Sequence, residues 1–319
     1  MTIFIALLAG LAVALLRPGT IRAVPRPAFL AAQATLGVML GTYVDSGSLS
    51  SLADDWVAVA AVSVGTLVLS VAAGMVLART TELDEPTGTL GMVAGGASGI
   101  VAMADDLGAD VRLVAFMQYL RVLVVVLSIP LLVAVAFPGG ESGVAPDDGP
   151  VLGGALDWVL VAAVGLAGAV GGRVARVPAA NLLGPLLLAG TIALAWPGEL
   201  EVPPLLREVA FVLIGLEVGL RFTVEAVKAM GRLLVPVLAA IVFLIVTAFL
   251  MAFGLAATTS ATLLDSYLAT TPGGLYAVLA VAFGKGADTT FVVGVQVLRL
   301  LALVILAPFV VRWVVRRVA

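Results

Sequence analysis

Eleven apolar segments follow one another along the chain with little polar sequence between them, at about 1–16, 28–44, 54–78, 86–107, 109–136, 152–172, 179–196, 204–222, 230–256, 262–284 and 289–313. A run of about 18 or more apolar residues reads as a membrane span. Alternation at period two is absent and most segments have helical length, which disfavours a transmembrane β-barrel. The expected fold is an all-α polytopic membrane protein. Of 319 residues, 62% are hydrophobic and only 12% are charged, against about a quarter charged in a soluble domain.

What the chain lacks narrows its chemistry. A net charge of −3 without a basic patch argues against nucleic-acid binding. Cysteine and histidine are both missing, which removes disulfides, haem, iron–sulfur clusters and nearly every zinc or copper site. No cofactor or metal is therefore expected, and the usual proton carrier near neutral pH is missing. No G-x-x-x-x-G-K-[ST] stretch is present, and no nucleophile–base set stands out, so the chain reads as a non-enzyme. The opening "MTIFIALLAGLAVALL" has the length of a signal peptide, but its positive charges follow the apolar run. It reads as a short first helix.

The strongest signal is an internal repeat. Residues 95–133 lie over 273–311 without a gap, at an offset of 178. Gly95/Gly273, Gly96/Gly274, Gly108/Gly286, Asp110/Asp288, Gln118/Gln296, Arg121/Arg299 and Pro130/Pro308 coincide. Upstream, Gly37/Gly215 and Gly41/Gly219 keep the offset, while "LLRPG" matches "LAWPG" at one residue more. Three parts follow: an N-terminal membrane repeat (1–136), an acidic loop with a linker helix (137–178), and a C-terminal membrane repeat (179–319).

Lysine and arginine mark cytoplasmic loops. Arg17, Arg22 and Arg26, then Arg173 and Arg176, then Arg221, Lys228 and Arg232, and finally Arg312, Arg316 and Arg317 place their segments inside. Loops 45–55, 138–157 and 197–203 carry acids and no basic residue, and are expected outside. The N-terminus is then outside and the C-terminus inside. Crossings balance only if 86–107 and 262–284 each enter and leave on one side, or break on the way across. The repeats come out inverted, in about nine crossings and two re-entrant or broken hairpins, or nine to eleven segments in all.

Arg121 and Arg299 each stand in an apolar run, three residues after Gln118 and Gln296. A charge at the bilayer centre costs several kcal/mol and faces protein or a wet cavity. Its partner could be a carbonyl of a broken helix, an acid from another helix, a lipid phosphate or a substrate anion. Gly95, Gly96, Pro272, Gly273 and Gly274 could break helices, freeing N–H and C=O groups to hold ions, with Ser98, Thr270, Thr271 and Tyr276 offering hydroxyls beside them. Glu217 lies one turn before Arg221, so it is an ion pair or a proton or sodium site. Asp265 opens the second broken segment, as a cap or an ion ligand. Asp110 and Asp288 follow "GA" at helix starts and read as caps.

With its glycine stretch, then GAD, then Q-x-x-R in both halves, the chain resembles the AbrB family of duplicated integral membrane proteins, which is distinct from the soluble DNA-binding AbrB proteins. By residue, Gly95, Gly96, Pro272, Gly273 and Gly274 match the glycine motif, and Asp110/Asp288, Gln118/Gln296 and Arg121/Arg299 the rest. Two departures stand out: Ala94 replaces the proline that Pro272 supplies in the second copy, and the first repeat has no counterpart of helix 152–172. The resemblance implies labels such as regulator of gene expression or ammonia monooxygenase; the second finds no copper or iron ligands here.

The combined expectation is a secondary transporter in the cytoplasmic membrane for a small anionic organic solute, alternating access between its repeats. Its partners are membrane lipid and that solute, not nucleic acid, and homo-oligomers are left open. The rival expectation is a membrane-embedded regulator of gene expression that acts through a partner or a transported metabolite.

Overall fold

The computed structural model describes residues 2–17, 23–93, 100, 101, 104, 107–137, 151–177, 179–196, 200–222, 228, 230–273, 275–300, 302 and 306. All regular structure among the described residues is helical. The first half holds α1 (Thr2–Leu16), α2 (Arg26–Thr42), α3 (Ser46–Asp54), α4 (Trp56–Thr80), α5 (Glu85–Met92) and α6 (Val111–Ala136). Next come α7 (Ala155–Val174), α8 (Ala180–Ala195), α9 (Pro204–Leu220), α10 (Leu234–Thr258), α11 (Leu263–Thr270), α12 (Leu275–Lys285) and α13 (Thr289–Leu300). The stretch 45–55, expected as a loop, carries the nine-residue α3.

Helix bounds repeat with the sequence. Between α2 and α9, α4 and α10, and α5 and α11, both the first and the last residues are 178 apart. The starts of α6 and α13 differ by the same number, 289 − 111. The α1 and α8 starts differ by 180 − 2 = 178 and their ends by 195 − 16 = 179. The duplication read from Gln, Arg, Asp and Pro is thus also a duplication of secondary structure.

Four described helices are long and apolar enough to cross a membrane: α4, α6, α7, and α10 with the 3₁₀ turn before it (Gly231–Thr258). The apolar helices α1, α8 and α13 are shorter. Along α10, Val235, Val242, Phe243, Val246 and Leu250 are exposed. A face of that kind is a liability in water and an ordinary surface in lipid.

The chain divides into two compact units, and each draws on both sequence repeats. The first comprises residues 1–53, 137–222 and 279–293. Within it α1 packs on α9 and α2 on α8, a reciprocal exchange between equivalent helices, while α7 lies on α8 and α2. A Cβ on Gly41 would meet the Leu186 carbonyl oxygen at 2.6 Å and the Gly190 nitrogen at 2.7 Å. A Cβ on Gly219 would meet the Leu7 carbonyl oxygen and, at 2.6 Å, the Leu11 nitrogen. Leu186/Leu7 and Gly190/Leu11 are both 179 apart, so the two contacts are the same contact made twice. Such i-to-j and j-to-i packing marks an isologous pair. Glycine at these positions lets backbones touch, which is how helices associate where burial from water supplies no drive.

The second unit comprises residues 54–136, 223–278 and 294–319. Here α4 packs on α10, α5 on α4 and α6, and α11 on α10. Asp110 N donates to Thr87 Oγ1 (2.8 Å) in the first turn of α5. Eight residues on, Gln118 Nε2 reaches the carbonyls of Leu90 (2.6 Å) and Val93 (2.8 Å) at its far end. Helices α5 and α6 therefore run side by side in one direction. In the second copy Gln296 of α13 likewise reaches Leu268 (2.8 Å) in α11 and Thr271 (3.3 Å) just past its end. Residues 94–99, 102, 103, 105, 106 and 274 of the two expected hairpins lie outside the described residues.

The segments before α6 and α13 end the same way. Gly108 and Gly286 have φ of 73° and 65°. Ala109 N then donates to Ala104 O (2.9 Å), and Ala287 N to Ala282 O (3.1 Å), the Schellman pattern of helix ends. One residue on, the Asp110 carboxylate accepts from Arg112 N (2.9 Å) and Leu113 N (3.1 Å), and Asp288 from Phe291 N (2.9 Å). The GAD triplet thus stops one helix and caps the next.

Candidate functional site

Helix α5 starts at Asp84, whose carboxylate accepts from Thr87 N (2.7 Å) and Thr87 Oγ1 (2.9 Å). Helix α11 starts at Thr262, whose Oγ1 accepts from Asp265 N (3.2 Å). Asp265 in turn accepts from Thr262 N (3.1 Å) and Thr262 Oγ1 (2.6 Å). This is a capping box with aspartate at its third helical position. Asp265 thus stands at the third helical position, and Thr262 is the cap.

The far ends of α5 and α11 hold the intramembrane arginines. A broken helix leaves its last carbonyls without N–H partners. Arg121 Nη1 donates to Met92 O (3.2 Å) and Val93 O (3.0 Å), and Arg121 Nη2 to Gln118 Oε1 (2.9 Å). Arg299 Nη1 donates to Thr270 O (3.0 Å) and Thr271 O (2.8 Å), and Arg299 Nη2 to Gln296 Oε1. Every donor and acceptor in one set is 178 residues from its counterpart.

The three-residue spacing has a physical reason. Positions i and i+3 share a helix face, so one amide can give its N–H to a carbonyl and its oxygen to the guanidinium. The cation also complements the negative end of the broken helix. Burying a guanidinium costs about 3 kcal/mol on insertion scales. Each carbonyl left unpaired costs roughly 1–3 kcal/mol, and each Gln–Arg pair serves three of them. Capping therefore offsets the charge. Of the four partners considered for the arginines, the structure supplies the broken-helix carbonyl. Both arginines are buried, and neither forms an ion pair among the described residues.

Capping leaves something over. Arg121 Nε is buried and has no hydrogen-bond partner among the described residues. A Cβ built on Gly273 would lie 3.5 Å from Arg121 Nε and 3.8 Å from Arg121 Nη2. Gly273 has φ 113°, a conformation that favours glycine. It lies two residues past Thr271, which Arg299 holds. Both guanidiniums thus stand at the turn between α11 and α12, where the first N–H groups of α12 also begin.

The unit brings together Gln118, Arg121, Thr271, Pro272, Gly273, Gln296 and Arg299. Thr271 is buried, and its Oγ1 donates to Tyr267 O (2.7 Å). Gly95, Gly96, Ser98 and Gly274 lie outside the described residues. Glu217 belongs to the other unit, where its carboxylate pairs with Arg221 Nη2 (2.6 Å) and accepts from Val24 N (2.9 Å). Sequence reasoning missed Thr87 and Thr262, and named Thr270 only for its hydroxyl, which donates to Ala248 O (3.0 Å) and Tyr267 O (3.2 Å). The boxes D-x-x-T at 84–87 and T-x-x-D at 262–265 were a readable signal for the first two. Thr270 O carries no such mark, because a backbone carbonyl has no identity in sequence. A separate groove of about 610 Å3 runs between α4 and α10, apolar along Val57, Val62, Met251 and Leu255 with Asp54 and Asp55 at one end.

Comparison with known proteins identifies the family. The family model described as "Transition state regulatory protein AbrB" matches residues 3–315. The chain is 36% identical over 295 residues to "Putative regulator AbrB" of Escherichia coli (strain K12), covering 91% of this chain and 83% of that protein. It is 28% identical over 293 residues to "Uncharacterized protein YhjN" of Bacillus subtilis (strain 168), covering 86% of this chain and 76% of that one. No solved structure matches. With a family model spanning nearly its whole length, the chain belongs to the AbrB family of membrane proteins.

Proposed function

We propose that this protein is a secondary transporter of a small anionic organic solute in the cytoplasmic membrane. The observation that carries the reading is Arg121 Nε, buried without a hydrogen-bond partner among the described residues and set against the turn that precedes α12. Two cations and a helix N-terminus at one turn make a site of positive potential, and anions bind such sites. The helix ends at Met92 and Thr270 fit this reading because irregular backbone at membrane depth is tolerated where it lines a cavity.

In this proposal the repeats are inverted, with the N-terminus outside, the C-terminus inside and about nine crossings. Exposing the turn alternately to the two sides would move the solute, coupled to a proton or sodium gradient. Proteoliposomes made with the purified protein test this. Uptake of carboxylates or amino acids above that of empty vesicles supports it, and a flat response across both panels removes it.

A second reading, a regulator of gene expression, draws on the names of the matched family and of the Escherichia coli relative. A transporter that alters the level of a signalling metabolite would earn such a name indirectly. Capture of a signalling partner by protein that moves no solute favours direct regulation.

A further inference from the structure

We propose that the groove between α4 and α10 holds one acyl chain of a phospholipid whose headgroup carries a primary ammonium, with that ammonium on Asp54 and Asp55. The groove, of about 610 Å3, lies within one compact unit and shares no lining residue with the arginine site. The proposal is independent of transport. Val62 and Leu255 in the lining are buried, whereas Val57 and Gly254 are exposed, so the groove opens on the outer surface of the helix pair. Its depth comes from small residues, Ala58 and Ala61 on α4 and Gly254 on α10, where a Cβ would meet nothing within 4 Å. Met251 stands at the end away from the carboxylates, its Cε 2.8 Å from a Cβ built on Gly65.

The lining on α10 runs from Met251 to Thr258, roughly 10 Å at 1.5 Å per residue. That is most of one leaflet, about 15 Å deep in a hydrocarbon core about 30 Å thick. An apolar groove of this length, open to lipid, accepts a hydrocarbon chain lying along the helices. The polar end decides which lipid. Asp55 is the residue before α4, yet its side chain makes no cap hydrogen bond. Neither aspartate forms an ion pair among the described residues. The basic residue of α4 is Arg79 in its last turn, roughly 36 Å from Asp55 at 1.5 Å per residue, and α10 has none. At the repeat offset the counterpart of Asp54 is Arg232 (232 − 54 = 178), so the equivalent end carries the opposite charge. Acidic residues contribute little to membrane orientation, so topology gives no reason for two aspartates here.

A primary ammonium brings three N–H donors, and charge-assisted bonds to carboxylates are the strong ones. A trimethylated amine keeps the charge without the donors. A glycerol headgroup leaves only the phosphate, which two carboxylates repel. The expected order is phosphatidylethanolamine, then phosphatidylcholine, then phosphatidylglycerol.

The test uses purified full-length protein in phosphatidylcholine nanodiscs with a trace of one photoreactive lipid, the three headgroups being compared on identical acyl chains. Peptide mass spectrometry of wild-type protein is expected to find cross-links concentrated on 57–62 and 251–258. Labelling there by the ethanolamine lipid should exceed that by the choline lipid about fivefold or more, the upper range for an exposed ion pair. Asp54→Asn with Asp55→Asn should erase the preference and leave chain labelling in place. Gly254→Leu, which fills the groove at an exposed position, should reduce labelling by all three lipids. Equal labelling by the three headgroups, a preference for the glycerol lipid, or cross-links as dense on α6 and α7 would each overturn the proposal. So would an asparagine variant that keeps the preference, or groove peptides cross-linked to a second copy of the chain instead of to lipid.

Discussion

Asp84 and Asp265 play one part from opposite positions. Asp84 is the residue before α5 and bonds to Thr87, whereas Asp265 is the third residue of α11 and bonds back to Thr262. At the offset of 178, Thr262 answers Asp84 and Asp265 answers Thr87. Acid and hydroxyl have traded places across the duplication, and the bond between them has survived.

That exchange predicts compensation. Asp84→Ala should lower stability by about 1 kcal/mol, the usual worth of a helix cap. The double swap Asp84→Thr with Thr87→Asp should recover most of it, since it recreates the box of the second copy. Thermal unfolding in detergent measures both, and a swap no better than the alanine variant would deny the equivalence.

Gly41 and Gly219 should respond alike to added bulk. Leucine at either would drive a side chain into the backbone of α8 or α1, at a cost of at least about 1–3 kcal/mol. Gly254, where a Cβ meets nothing within 4 Å, should accept alanine within about 0.5 kcal/mol. Yield of monodisperse protein and its melting temperature rank the three.

Arg299→Met should destabilise by roughly 1–3 kcal/mol for each carbonyl it leaves unpaired. Gln296→Leu should cost less when Arg299 is already gone, because the amide and the guanidinium act as one capping group. A double-mutant cycle on thermal unfolding reads the coupling, and additive losses would show two independent bonds.

Glu217→Gln keeps an acceptor for Val24 N and loses only the pair with Arg221, whose side chain is 41% exposed. The expected loss is at most about 1 kcal/mol, and it should shrink in high salt. Since Val24 and Arg221 already engage the carboxylate, transport should persist in this variant. Transport that vanishes or loses its dependence on an ion gradient would return Glu217 to a coupling role.

The chain contains no cysteine, so single cysteines report on sidedness without background. A cysteine at Glu201 should react with impermeant maleimide from outside intact cells, and one at Lys228 only after the membrane is opened. The same sidedness for both would mean that α9 does not cross the membrane and would remove the assigned topology.

Sequence by itself determined the class, the duplication and the local stops and starts. Apolar length identifies a membrane helix, and the GAD triplets and capping boxes act through bonds within a few residues. The arginines were conspicuous, but their partners were not. Met92, Val93, Thr270 and Thr271 offer backbone carbonyls 28 or 29 residues away from the guanidiniums, and only a chain that doubles back brings them there. Which helix lies on which was equally hidden, because in lipid both faces of a helix can be apolar and periodicity no longer marks the buried side. Tertiary structure decided the pairing of α1 with α9 and α2 with α8, and it set Arg121 Nε beside Gly273.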